Sequence, residues 1–369
     1  MKKPAPPAIS VYLPTHRAGG GVDGDSLRFR ASLDRARALL SGDVAAAGRR
    51  VLDSLASLIG DGEFWRHQAD GLAVFAAPDF QRLYRLPVSF PELVVVATSF
   101  VTRPLIEYLQ APDRFWVLAL SQKAVRLWEG ASTGLTAVNL TGVPRSLQEA
   151  LGRQVTRDPI SFHSPRGGGA APVYHGHGVG VDDAKDELAR FFRKVDAGVR
   201  DLLAGETGPF ILAAVDYYHP IYRSVSRLRN LAEDGIVGNV IEWDVDQLHE
   251  AAWPIVRATV EREIDEAVKL WEASYGRGKA ESDIAAAGFH AVSGRVRLLL
   301  TEKDRRVWGK LDRSTGVVEV LKENGPDPGQ HAVDLLDELA EVAIQHGGRT
   351  LVIPQDRMPT RTGLAAVLR

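Results

Sequence analysis

The stretch from Val173 to Asp196, VYHGHGVGVDDAKDELARFFRKVD, sets His175 and His177 on either side of Gly176 and then runs into a long amphipathic segment. Three chemistries suit such a pattern. Imidazoles two residues apart share one face of a strand and can hold a divalent metal, with His163 and Asp182 or Asp183 as further ligands. A glycine-rich loop that opens a helix can cradle an anion on its amide groups. Glycines also let bare backbone approach a surface where a Cβ would clash.

The residues weigh unequally on these readings. Gly176 and Gly178 flank His177, and that disfavours the regular strand a paired ligand set needs. The same glycines lack the spacing of a dinucleotide fingerprint, and no GxxxxGK[ST] occurs in the chain. Asp182 and Asp183 stand where the first helical turn would meet an anion and already answer the helix dipole. The third reading is backed by Lys185, Arg190, Arg193 and Lys194, cations suited to phosphate contacts behind an inserted tip. Two other stretches carry chemistry. DYYHPIYR, Asp216 to Arg223, is expected at the end of a strand, where tyrosines can stack on bases or fill a core. LPTHR places His16 and Arg17 at another strand end beside GGGVDGD, followed by a helix bearing Arg28, Arg30, Arg35 and Arg37.

These residues need elements to position them. ISVYL at residues 9–13 alternates as a strand, and Asp25 is placed to cap the helix after it. A second helix is expected around Arg49–Ile59, then buried strands in GLAVFAAP and LVVVATSF. Pro112 and Asp113 mark a boundary. RFWVLALSQKAVRLWEGASTGLTAVNL reads as two or three strands, and residues 158–180 as a polar connection. Leu188, Phe191, Phe192, Val195, Val199 and Leu202 line one face of a helix over 182–204. PFILAAV is a buried strand, and Asp244 with Gln247 forms a capping box for a helix to about Trp271, with Pro254 as a kink. After a second boundary at Tyr275 come strands RVRLLL, RVWGKL and VVEVL, a helix over 333–345 and the strand TLVIP. The expected architecture is α/β, three α/β domains in series at 1–111, 112–274 and 275–369.

Composition bounds the function. The chain has 369 residues, 45% hydrophobic and 25% charged, as in globular domains. The absence of cysteine excludes disulfides, thiolate zinc sites and cysteine nucleophiles. No apolar run reaches a membrane span, and MKKPAPPAISVYLPTH has no signal-peptide core, so a cytoplasmic protein is expected. A net charge of −2 offers no global attraction to nucleic acid, which leaves local basic stripes to make any phosphate contacts.

In serial order the three segments resemble the domains of the archaeo-eukaryotic class-1 peptide-chain release factors and Pelota. The first is similar over ISVYLPTH, DGLAVFAAP and LVVVATSF. The second is similar over RFWVLALSQKAVRLWEG and HGHGVGVDDAKDELARFFRKVD. The third is similar over SGRVRLLLTEKDRRVWGKLD and LLDELAEVAIQHGGRTLVIP, where the resemblance implies a fold like that of ribosomal protein L7Ae. HGHGxG, DDAK and DYxHPIY resemble the bacterial branch, to which Balon-like ribosome hibernation factors belong. Where release factors carry Gly-Gly-Gln, this chain has His175-Gly176-His177-Gly178, and DGDSLRFR replaces the stop-codon motif. The resemblance therefore implies a factor that occupies the ribosomal A site, protecting its active centres without releasing peptide. A peptidyl-tRNA hydrolysing release or rescue factor, or a metal-dependent hydrolase or nuclease using the HGHG loop, is the alternative. The residues expected at RNA are His175, Gly176, His177, Gly178, Lys185, Arg190 and Arg193 at one end, and His16, Arg17, Arg28 and Arg30 at the other. No cofactor, metal, membrane or DNA is expected. The partners implied are the ribosome, through rRNA at the A site and peptidyl-transferase centre, and elongation factor Tu.

Overall fold

The computed structural model describes residues 5–17, 22–110, 112, 114–152, 178–321 and 332–369. The chain divides into two compact units, one formed by residues 1–111 with 260–369 and the other by 112–259.

The first segment contains β1 (Ala8–Pro14), α1 (Val22–Leu39), α2 (Ala45–Ala56), α3 (Gly62–Arg66), β2 (Gly71–Ala77), β3 (Phe80–Leu86), β4 (Leu93–Ala97) and α4 (Arg103–Gln110). The strands form an antiparallel sheet in the order β3-β2-β1-β4. Side chains alternate across it. Ile9, Val11 and Leu13 pack with Phe29, Leu33, Leu52 and Leu55 of α1 and α2, whereas Tyr12 turns to Phe75 and Phe90 on the opposite face. The helix expected at 49–59 starts earlier, at Ala45, and ends in a 3₁₀ turn over Ser57–Gly60.

The central segment holds β5 (Phe115–Leu120), β6 (Val125–Ala131), β7 (Gly134–Val138), α5 (Leu147–Leu151), α6 (Gly178–Leu202), β8 (Phe210–Ala214), α7 (Tyr218–Val225), β9 (Ile236–Val237) and α8 (Val245–Tyr275). Its sheet order is β7-β6-β5-β8-β9. β6 and β7 form an antiparallel meander with β5, while β5, β8 and β9 run parallel. The apolar stripe of α6 covers one face, burying Leu188, Phe191, Phe192, Val195 and Val199 against β5 and β8. α8 covers the other face with Leu248, Ala252 and Val256. Asp244 and Gln247 exchange backbone-to-side-chain hydrogen bonds at 3.2 and 2.8 Å, the expected capping box. α8 continues through Pro254, and the division between the units falls within it.

The last segment comprises β10 (Ala280–Glu281), α9 (Ile284–Val292), β11 (Val296–Glu302), β12 (Trp308–Leu311), β13 (Val318–Val320), β14 (Val333–Asp334), α10 (Leu335–Gln345), β15 (Arg349–Ile353) and β16 (Leu364–Leu368). Two sheets result, β10-β16-β11-β15 and β13-β12-β14. α4 docks this segment onto the first. Arg103 is 3% exposed and donates to the carbonyls of Glu302 and Arg305 and to the carboxylate of Asp334. Asp337 accepts the backbone N–H groups of Thr102 and Arg103 at 2.7 and 2.6 Å, so a carboxylate from α10 caps α4. Gln110 pairs with both the N–H and the carbonyl of Val352, filling the open edge of β15. A buried arginine held by that many acceptors is tied to one geometry.

Candidate RNA-facing site

β1 ends at Pro14, and the chain turns at once into residues that carry the first candidate set. Thr15 donates its N–H to Asp70 and its hydroxyl to the carbonyl of Ala69, which fixes the turn against the start of β2. His16 then lies beside Asp25. The Asp25 carboxylate is fully buried, and it accepts the His16 backbone N–H at 2.8 Å, pairs with His16 Nδ1 at 2.9 Å and accepts Arg28 Nη1 at 2.7 Å. Because Nδ1 faces a carboxylate, it carries the proton, leaving Nε2 as the free face of the ring. The His16 and Arg28 side chains are 45% and 37% exposed. Both are therefore tethered from below and open above.

Arg17 makes a two-pronged pair with Asp70, at 2.9 and 2.8 Å. That hydrogen-bonded fork, helped by the positive charge of Arg17, holds the Asp70 carboxyl below its usual range and raises Arg17 in turn. Arg30 is exposed and pairs with no described residue. Thus His16, Arg17 and Arg28 come together around two aspartates, and Arg30 stands apart on α1. The expected role of Asp25 as a helix cap is corrected here. α1 begins at Val22, so Asp25 is already inside the first turn, and its carboxylate faces inward to His16 and Arg28.

The second set belongs to the other unit. His175, Gly176 and His177 lie outside the described residues, as does His163, and Gly178 is the first residue of α6. Lys185, Arg190 and Arg193 are exposed on α6; at 100° per residue Arg190 and Arg193 fall opposite its apolar stripe and Lys185 at the stripe's edge. Lys194 donates instead to the carbonyl of Ala150. Among the described residues, no three His, Asp or Glu side chains gather as a metal-ligand set.

DYYHPIYR is a helix, not the end of a strand. β8 stops at Ala214, and α7 starts at Tyr218 with Pro220 in its first turn, where a missing N–H is harmless. Most of its side chains do structural work. His219 is buried with Nε2 between the carbonyls of Ala214 and Ile236, at 3.2 and 3.3 Å, so it clips β8 to β9. Both neighbours are acceptors, which puts the ring proton on Nε2. Tyr222 reaches Asp196, a buried carboxylate on α6 that also accepts from Ser226 Oγ at 2.6 Å, the Arg227 N–H and Arg200. Burial, and then the charge of Asp196, pushes the Tyr222 hydroxyl well above its ordinary value. Tyr218 stacks edge-on against Phe192 of α6 at 5.3 Å, and its hydroxyl meets Gln122.

Asp70 and Asp196 escaped sequence reasoning. Asp196 had a visible signal, because it sits on the apolar stripe of α6 beside Val195. Asp70 had none, since only the folded sheet brings it to Arg17.

The sequence pattern of bacterial archaeo-eukaryotic release factor family 3 matches residues 114–295. No curated protein matches the chain. Solved structures similar to it include the archaeal translation termination factor aRF1, at 15% identity over 99% of this chain and 94% of that one, with a TM-score of 0.25. Archaeoglobus fulgidus Pelota is similar at 12% identity over 81% and 79%, TM-score 0.36. A ribosome-bound archaeal Pelota, described together with ABCE1, is similar at 12% identity over 79% and 73%, TM-score 0.41. α6 and the DYYHPIYR helix both lie inside the matched region, so over residues 114–295 the chain is similar to the bacterial archaeo-eukaryotic release factors of family 3.

Proposed function

We propose that this protein binds the ribosomal A site as a hibernation or protection factor, and that it does so without releasing peptide. The observation that carries the reading is the family match over residues 114–295, whose sequence has His175-Gly176-His177-Gly178 where release factors have Gly-Gly-Gln. A sequence that keeps the glycines but lacks the glutamine loses the residue that in release factors positions the hydrolytic water. The long helix behind it offers phosphates Lys185, Arg190 and Arg193, all exposed. At the first segment, Arg17 and Arg28 keep outward N–H groups while Asp70 and Asp25 fix their stems, a preorganised arrangement for phosphate contact. An elongation-factor GTPase of the elongation factor Tu type is the delivery partner this reading implies.

The test is co-sedimentation of purified protein with vacant ribosomes, beside a peptidyl-tRNA hydrolysis assay on programmed ribosomes. Binding that weakens with salt, and no hydrolysis above buffer, is expected. Hydrolysis would assign the chain to release or rescue, with His175 or His177 as the base to examine.

A further inference from the structure

In α/β sheets, ligands gather at the carboxyl ends of parallel strands, where loops and helix starts converge. In the central unit β5, β8 and β9 are parallel and finish together. The segments leaving that end are 121–124 after β5, 215–217 after β8 and 238–239 after β9. α6 lies at the same end, because Phe192 packs on Tyr218, four residues past the last residue of β8. Two turns earlier on the same line of the helix stands Lys185, roughly 10 Å further along the axis.

What this end presents is unusual for the unit. Val215 is 39% exposed, Tyr217 42% and Val237 57%, and Val215 and Val237 follow or occupy the adjoining positions of paired strands β8 and β9. Beside the tyrosines, Gln122 bonds the Tyr218 hydroxyl, which brings the 121–124 turn and exposed Lys123 to the same place. Asp216, also exposed, is the acid of the group. The DYYHPIYR helix thus divides its labour. His219, Ile221 and Tyr222 are buried, while Asp216 and Tyr217 face out.

We propose that the carboxyl end of the β5–β8–β9 sheet binds an unpaired RNA nucleotide, its base stacked on Tyr217 between Val215 and Val237 and its phosphate met by Lys123. An exposed aromatic with flanking aliphatic side chains offers a base the flat apolar face that water does not reward. The exposed cations Lys123 and Lys185 match the charge of the phosphates, and the carboxylate of Asp216 can accept from a ribose 2′-hydroxyl, a group that DNA lacks. The site deepens the ribosomal reading and rests on it, adding a nucleotide contact outside the His-Gly-His-Gly loop.

The experiment uses full-length protein with three changes: Tyr217→Ala, Tyr217→Phe and Lys123→Glu. Ribosome affinity is measured by co-sedimentation at fixed salt, and folding by thermal melting. Loss of the ring is expected to weaken binding about tenfold, as loss of a stacked base does, while Tyr217→Phe keeps it within about twofold because stacking needs no hydroxyl. Lys123→Glu should weaken binding and reduce its salt slope by about one unit. A photo-reactive p-benzoylphenylalanine in place of Tyr217 should crosslink to rRNA. If wild type sediments with ribosomes and Tyr217→Ala sediments equally well, this site is overturned alone; a crosslink confined to a ribosomal protein overturns it too. If wild type does not sediment, the ribosomal reading fails and the site falls with it.

Discussion

Single carboxylates decide how the exposed cations are presented. Asp25 answers three donors from beneath the surface, so Asp25→Ala leaves the His16 N–H, His16 Nδ1 and Arg28 without their partner. His16 and Arg28 are partly exposed, and water recovers some of the loss; about 2 kcal/mol of destabilisation is expected in urea unfolding. Asp196 is deeper and serves Tyr222, Ser226, Arg227 and Arg200, all from the α6–α7 junction. Its replacement by alanine should destabilise by about 3 kcal/mol. The exposed cations behave the other way. Lys185→Glu with Arg193→Glu should leave stability within about 0.5 kcal/mol and yet lower ribosome affinity and flatten its salt dependence, readable in the same co-sedimentation series.

At the scale of elements, the α4–α10 junction carries a pH signature. Burial, and then the nearby Asp334, raises the Asp337 carboxyl to about 7 from its ordinary 3.8, against the pull of Arg103 and two backbone N–H groups. A carboxyl raised in the folded state binds its proton more tightly folded than unfolded. Its stabilising contribution is therefore full below about pH 4 and lost as pH rises towards 7. Asp337→Asn lacks that titration, so the melting temperature of wild type relative to the variant should fall between pH 4 and 7.5; a difference that stays flat or rises contradicts it. None of this junction was legible in the sequence, since Arg103 lies 231 residues from Asp334 and 234 from Asp337 in the chain and all three look like ordinary surface charges. The elements that were legible share a repeating pattern. The stripe of α6 and the alternation of β1 need no tertiary knowledge. β3 was missed because FQRLYRL, an edge strand, exposes residues on both faces and so loses its alternation. α7 was misread because three tyrosines and a proline look like a strand end, while Asp196 and Phe192 make it a helix packed on α6. In α1 Leu27 is exposed, and the helix buries Phe29, Leu33 and Ala36.

For the whole molecule, the division into 1–111 with 260–369 and 112–259 predicts how it melts. Arg103→Met removes the guanidinium that pairs with Asp334, leaves that carboxylate without its cation in a buried junction and should lower the transition of the unit containing it. Gly235→Ala should lower the other, because a Cβ there would meet the His219 ring at 2.6 Å and the Leu212 carbonyl at 2.7 Å. Calorimetry of the two variants, each moving a different part of the heat-absorption profile, checks the assignment; identical shifts would contradict it. The proposed function draws on the same whole, on the cations at the end of β1 and along α6 and on a sequence at 175–178 that lacks the release glutamine. The most direct test places wild-type protein on programmed 70S ribosomes carrying peptidyl-tRNA, with an empty A site, and follows sedimentation and peptide release together. The account predicts salt-sensitive binding with release no faster than in buffer. Release stimulated by the protein, or no binding at low salt, would contradict it.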